Sequence, residues 1–268
     1  MSLRINTNVE AFNAHRNLQG TESKLAMSME RLSSGYRINR AADDAAGLAI
    51  SERLKAQIGG LDQAQRNAQD AVSLVQTAEG SLDQVHAMLQ RIRDLAVEYK
   101  NGTLSTTDQQ SIQSEVNQLA SEIERIGASA TFNGISLLSN ATTLNFQVGS
   151  NDQQTISVST ISLGSTLGTA FYSLSASGTS DISEIDSAIN AVSATRSDFG
   201  AIENRLNYTL DNAAIYEENL TASESRVRDV DMASEMVNFT KLQILQQAGT
   251  SMLAQANQSS QSVLSLLR

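Results

Sequence analysis

The chain contains no cysteine, proline or tryptophan, and only six phenylalanines and five tyrosines among 268 residues. Without cysteine there is neither a disulfide framework nor a thiolate metal site, so the chain is indifferent to the redox state of its surroundings. Without proline the main internal breaker of helices is missing. The scarcity of aromatics argues against a thick globular core. Ala, Ser, Gln, Asn and Leu dominate instead, which suits thin helical bundles whose small residues let backbones approach closely. Positive charge is also in deficit: 19 Lys and Arg against 29 Asp and Glu leave a net charge of −10. That balance disfavours a nucleic-acid binder, which needs clustered cations to neutralise phosphates. No apolar run reaches the length of a membrane span, so no membrane insertion is expected. The N-terminal MSLRINTNVEAFNAHRNL lacks the uninterrupted apolar stretch of a cleaved signal, so secretion, if it occurs, is expected to use another route.

What the chain does have is periodicity. Leu54, Leu61, Ala68, Val75, Leu82, Leu89 and Ala96 recur every seven residues, as do Ile185, Val192, Phe199, Leu206, Ala213, Leu220 and Val227. A second stripe accompanies each, with Ala64, Ala71, Ala78, Val85, Ile92 and Tyr99 in the first and Ile202, Tyr216 and Val230 in the second. This is a coiled-coil seam. A helix from about Ala45 to Tyr99 would be roughly 80 Å long at 1.5 Å per residue, which predicts a rod. Leu54, Leu61, Val75, Leu82 and Leu89 are expected to face Val192, Phe199, Leu206, Leu220 and Val227 inside it.

The remaining elements follow from local signals. Val9, Phe12, Leu18, Leu25, Met29 and Leu32 place a helix over Ile5 to Leu32 that ends at Gly35, and a polar loop from Ser33 to Asp44 follows. Asn101-Gly102 reads as a left-handed stop to the long helix. Thr107 with Gln110 reads as a capping box for a third helix carrying Ile112, Val116, Leu119, Ile123 and Ile126. Leu144, Phe146 and Val148 alternate, as do Ile156 and Val158 across a turn at Gly149 to Asp152, so a small β-hairpin is predicted. Gly164 to Ser180 is rich in Ser, Thr and Gly and reads as an exposed irregular connection. Asp181 with Glu184 opens the long C-terminal helix, and a further amphipathic stretch runs from Met232 through Leu245, Ala248, Met252, Ala256, Val263 and Leu267. The fold class is therefore mainly α: a long antiparallel coiled-coil or helical-bundle rod with a small β-hairpin region in mid-chain. Three segments are expected: 1–44, half of a terminal stem plus its connecting loop; 45–231, the bundle with the hairpin and a short outer loop at about 140–180; and 232–268, the other half of the stem. A stem of two helices leaves most of each apolar stripe wet, at roughly 25 cal/mol per Å², so it needs neighbours.

No catalytic constellation is present. His15 and His86 are far apart and fit no metal-ligand spacing. Asp229, Asp231 and Glu235 lack the glycine and rhythm of a Ca²⁺ loop and read as a helix face or joint. GxSxG, phosphate-loop and GxGxxG motifs are missing. An enzyme, a cofactor and a metal are therefore not expected. The sequons at Asn140, Asn207, Asn219 and Asn238 fit chance in an Asn- and Ser-rich chain, and three of them fall in predicted helices. Met232, Met236 and Met252 read as ordinary packing. Arg31, Arg37, Arg40 and Arg53 concentrate around the polar loop and read as a solvated joint rather than a specific salt-bridged contact.

Several long segments decide a family resemblance: SSGYRINRAADDAAGLAISERL (Ser33 to Leu54), QTAEGSL (Gln76 to Leu82), LQRIRDLAV (Leu89 to Val97), FNG (Phe132 to Gly134), ENLTASESRVRDVDMASEM (Glu218 to Met236) and MLAQANQSSQSVLSLLR (Met252 to Arg268). Together they resemble bacterial flagellin, in a minimal form with a short middle. The resemblance implies a secreted structural subunit that polymerises with itself into the extracellular flagellar filament for swimming, exported unfolded through the flagellar type III apparatus. It implies a dedicated export chaperone on about Met232 to Arg268, and junction and cap proteins of the hook-associated kind at the filament ends. It also implies recognition by the vertebrate Toll-like receptor for flagellin through Gln90, Arg91 and Leu95, with Glu115 from the third helix. In that segment Asp94, Glu98 and Tyr99 depart from the commonest form and add negative charge and bulk. The hook-filament junction protein is the nearest alternative. A cytoplasmic coiled-coil signalling rod is an alternative of another class, but it would place a helical hairpin tip at mid-chain.

Overall fold

A computed structural model describes residues 7–168, 172, 174 and 181–266, with 259–266 described by backbone alone. Among these residues the chain forms α1 (Val9–Ser34), α2 (Ala45–Tyr99), α3 (Thr106–Ser129), β1 (Thr131–Phe132), β2 (Ile135–Ser136), β3 (Thr143–Gln147), β4 (Thr155–Ser159), α4 (Leu163–Leu167), α5 (Asp181–Arg228) and α6 (Met232–Leu266). The mainly helical class with a small mid-chain hairpin is the one found. Two compact units result, Gln57–Glu218 and the combination of Met1–Ala56 with Asn219–Arg268.

In the unit Gln57–Glu218 the heptad stripes are the core. Ala64, Ala71, Val75, Leu82, Val85, Leu89 and Ile92 of α2 are buried together with Ile185, Val192, Phe199 and Leu206 of α5. Polar rungs fix the antiparallel register. Arg93 pairs with Asp186 at 2.6 Å, Arg196 with Asp83 at 2.9 Å, Gln76 donates to Glu203 at 2.8 Å, and Gln65 donates to Glu217. α3 adds Ile112, Val116, Ala120 and Ile123 to the core beside the later half of α2. Along the earlier half of α2 the β3–β4 hairpin makes the contacts. There the Asn67 amide donates to the Gln147 carbonyl at 3.0 Å, and a Cβ on Gly60 would stand 3.0 Å from that of Ser150. The predicted alternation is seen, with Leu144 opposite Val158 and Phe146 opposite Ile156.

Local signals were less exact at element ends. α3 is capped by Ser105 and Asp108, in a reciprocal box, and not by Thr107 and Gln110. A charged carboxylate at the third helical position accepts from the cap backbone more strongly than a carboxamide would, and it also meets the helix dipole. Asn101-Gly102 does end α2, but Gly102 is not left-handed; Asn101 N–H tightens the last turn onto Glu98 O at 2.9 Å. The irregular stretch after Gly164 begins with a short helix, because Ser162 caps it and Leu163 is buried. Its later part lies outside the described residues, apart from Tyr172 and Leu174.

Hydrogen bonds from the Ser105 hydroxyl and the Ser105 N–H hold the Asp108 carboxyl below its ordinary 3.8. The stability this confers is complete above the unfolded value and is lost as pH falls through the lowered folded one. Asp108→Asn is therefore expected to melt below wild type at neutral pH and to converge with it once the pH has fallen through the lowered folded value, as read by circular dichroism.

In the other unit α1 and α6 pair along their length, and a backbone clip joins the segments next to them. Arg37 N–H donates to Arg228 O at 2.7 Å and Val230 N–H to Gly35 O at 3.0 Å, forming a bridge between Tyr36 and Asp229. Gly35 ends α1 as predicted, at φ 76°, a conformation that glycine adopts freely. Ile38 is buried under the loop against Gly47, where a Cβ would lie 2.7 Å from its Cδ1. Glu235, in the first turn of α6, is buried, accepts from the Ser28 hydroxyl at 2.5 Å and faces Arg31 at 3.9 Å. The arginines thus do not mark a merely solvated joint. Arg31 meets Glu235, Arg40 meets Glu30 at 3.0 Å, and the Arg37 guanidinium donates to Val227 O at 2.5 Å; of the four, Arg53 stays on its own helix, donating to Ala49 O. A loop whose backbone is hydrogen-bonded across the chain places its side chains well enough to pair.

Candidate functional site: an open apolar face on the terminal helices

The pairing of α1 with α6 covers only part of either helix. Asn8 Nδ2 donates to Ala256 O at 2.9 Å at one end, and the Ser28–Glu235 bond closes the other. Between them Gly249 approaches Leu18 so closely that a Cβ would sit 3.2 Å from Leu18 Cδ1. The outward faces remain apolar and wet. Phe12 is 70% and Val237 69% exposed, Val9, Met29, Ile244 and Met252 all exceed half, and Met236 stands at half. Full burial of one such side chain is worth roughly 1.5–3 kcal/mol, so this surface favours association over solvation. The methionines Met232, Met236 and Met252, expected as ordinary packing, are all exposed here.

The seam residues divide by position. Leu61, Val75, Leu82, Leu89, Val192, Phe199 and Leu206 are buried, whereas Leu54, Leu220 and Val227 are half-buried. The expected recognition segment is likewise split. Arg91 and Glu115 are exposed and joined at 2.7 Å, and that hydrogen-bonded carboxylate holds the guanidinium pKa above its ordinary value. Gln90 is exposed and bonds to His86 at 3.0 Å. Leu95 is different: at 2% exposure it is core, beside Ile92 and Ala96, and offers no contact surface in this conformation. Its place in the stripe explains this, since it follows Ile92 by three residues on the inward face.

The acidic trio at the joint has structural partners. Asp231 accepts from Ala233 and Ser234 N–H as a helix cap, Asp229 accepts from the Ser225 hydroxyl, and Glu235 is the buried partner of Ser28. Among the described residues no group of three or more His, Cys, Asp or Glu is placed to hold a metal ion, and no helix is long and apolar enough to cross a membrane.

Two family models match this chain. Residues 5–143 match the bacterial flagellin N-terminal helical region, and residues 182–267 match the bacterial flagellin C-terminal helical region. The chain is 50% identical over 272 residues to a flagellin of Halalkalibacterium halodurans, covering 98% of this chain and 99% of that one. It is 46% identical over 304 residues to a flagellin of Bacillus subtilis, covering 99% and 100%. To the flagellar filament 33 kDa core protein of Treponema phagedenis it is 45% identical over 284 residues, covering 98% and 99%. Among solved structures, the crystal structure of Bacillus cereus flagellin superposes with a TM-score of 0.51 at 34% identity, covering 55% of this chain and 88% of that one.

Proposed function

The chain belongs to the bacterial flagellins, and we propose that it is the structural subunit of an extracellular flagellar filament, polymerising with itself and performing no chemistry. The observation that carries this reading is the exposed apolar face of α1 and α6, with Phe12 and Val237 each about 70% in solvent. Two helices that pair yet leave such residues wet are half of a larger packing arrangement. The test is the double substitution Phe12→Asp with Val237→Asp. The purified monomer is expected to keep the melting curve of wild type, since neither side chain is buried in it, while filament growth from seeds fails in electron micrographs. Filaments of normal length and yield from that variant would remove the reading.

The finer partners follow from family membership. The amphipathic α6 suits capture by an export chaperone before secretion, since its apolar face is open once α1 is absent, and junction and cap proteins of the hook-associated kind suit the filament ends. Recognition by the vertebrate Toll-like receptor is supported by Gln90, Arg91 and Glu115, which lie exposed on neighbouring helices; Leu95 supports that surface from beneath. Arg91→Ala is expected to lower signalling by monomers in a receptor reporter assay while shifting the melting temperature by no more than about 2 °C, because an exposed ion pair contributes little to stability. Equal signalling by both monomers would take Arg91 out of the site.

A further inference from the structure

The unit Gln57–Glu218 bears two complementary surfaces that cannot meet within one copy. On α5, Arg205, Tyr208, Asn212 and Tyr216 are spaced by three and four residues and share one face of the helix. Tyr208 is 76% exposed, and Tyr216 and the adjoining Ile215 are also more than half in solvent. This face is one wall of an open groove of about 690 Å³ whose other wall is the β3–β4 turn from Val148 to Ile156. Arg205 is exposed, and its guanidinium has no carboxylate within ion-pair distance among the described residues. Asp211 borders the face on the Ile215 side, away from Arg205. Aromatic side chains around an unpaired arginine are the composition of an interface centre.

Near the opposite end of the same unit, α2 presents Asp94, Val97 and Glu98, all exposed. The cations beside them are engaged: Arg91 by Glu115, Arg93 by Asp186 and Lys100 by Asp181. Asp94 and Glu98 are therefore negative charge in excess around an exposed valine. The register set by the Arg93–Asp186 and Gln76–Glu203 rungs places the two faces some 25 residues apart along the bundle, about 40 Å at 1.5 Å per residue.

We infer that these faces meet between copies: the groove beside α5 of one subunit receives the Asp94–Glu98 face of the next, Arg205 pairing with the carboxylates while Tyr208 and Tyr216 cover Val97. The occupant is a second copy of this chain, because the complement in charge and apolar area is present on the chain itself. A contact between different patches at opposite ends is heterologous, and where its rotation does not close a ring its repetition generates the open helical array that a filament requires. This inference rests on the filament reading above and specifies which faces carry it.

Charge exchange tests it in the full chain. Arg205→Glu alone, and Asp94→Lys with Glu98→Lys, are each expected to leave the monomer's circular-dichroism melt unchanged and to raise the critical concentration for seeded assembly about tenfold or more. The chain carrying all three substitutions restores opposite charges across the contact and is expected to return to within about threefold of wild type. Assembly of Arg205→Glu at the wild-type critical concentration would overturn the pairing, and so would a triple variant no better than its parents. A wild-type chain that forms no filaments would instead remove the reading beneath it, and the pairing with it.

Discussion

Leu89→Asp is expected to leave the unit Gln57–Glu218 without a cooperative melt at neutral pH. Leu89 is fully buried on the α2 stripe that packs with Val192 and Leu206 of α5, and none of the polar rungs is placed to pair with a carboxylate there. A carboxyl buried without a partner costs several kcal/mol, against a total stability of about 5–15 kcal/mol for a domain. Circular dichroism should show a broad, non-cooperative loss of helix, and cells relying on this chain should be non-motile through failed folding. A sharp transition within a few degrees of wild type would show that the stripe is not the core. Leu89→Ala provides the graded case, with a cost of about 2–5 kcal/mol and a surviving transition.

Deletion of Met252 to Arg268 is expected to abolish polymerisation while leaving a soluble, largely helical monomer. The stripes of α2 and α5 lie wholly outside the deleted segment, so the main transition should persist. The deletion removes Met252 from the open face and Ala256 from its bond with Asn8, and with them the far end of the α1 and α6 pair. Electron microscopy of seeded and unseeded samples reads the outcome, and normal filaments would contradict a role for this far end of the terminal helices in assembly.

How far the chain could be read in advance depended on how many times each signal was repeated. The stripe from Leu61 to Ala96 and that from Ile185 to Ala213 were legible because each turn restates the same inward face, so an error at one position is corrected by the next. Their ends were not. Leu54, Leu220 and Val227 continue the seven-residue spacing but are only half-buried, because around them the chain is held by the Tyr36–Asp229 clip, and a backbone hydrogen bond leaves no periodic trace in side-chain type. The same limit hid the true partners of Arg31, Arg37 and Arg40.

Single-turn signals gave mixed results. Gly35 marked a left-handed stop correctly, while Asn101-Gly102 marked a stop of another geometry. Ser105 and Thr107 both precede a suitable residue by three, and the carboxylate of Asp108 decided between them. The β1–β2 hairpin was missed, although Asn133-Gly134 announces it: both residues have positive φ, as a two-residue turn between twisted strands requires. Those strands are too short to show alternation. Of the candidate recognition residues Leu95 is buried, and a segment matched by resemblance carries no information on which of its residues face inward, whereas the Ile92 to Ala96 stripe did carry it.

The bond from Asn8 to Ala256 spans 248 residues of sequence, and that from Ser28 to Glu235 spans 207. Contacts at such separation are about the slowest a chain of this length can form, since the entropy of closing the intervening loop must be met before any local gain arrives. α2 and α3 need far shorter searches, as Arg91 and Glu115 are only 24 residues apart. Whichever end of the polypeptide is delivered first, its terminal helix therefore waits for the other, and the surface proposed to join subunits is the last to be completed. A chain still emerging from a ribosome or a narrow conduit has its bundle within reach but not its adhesive stem, so polymer growth is timed by the arrival of the final residues.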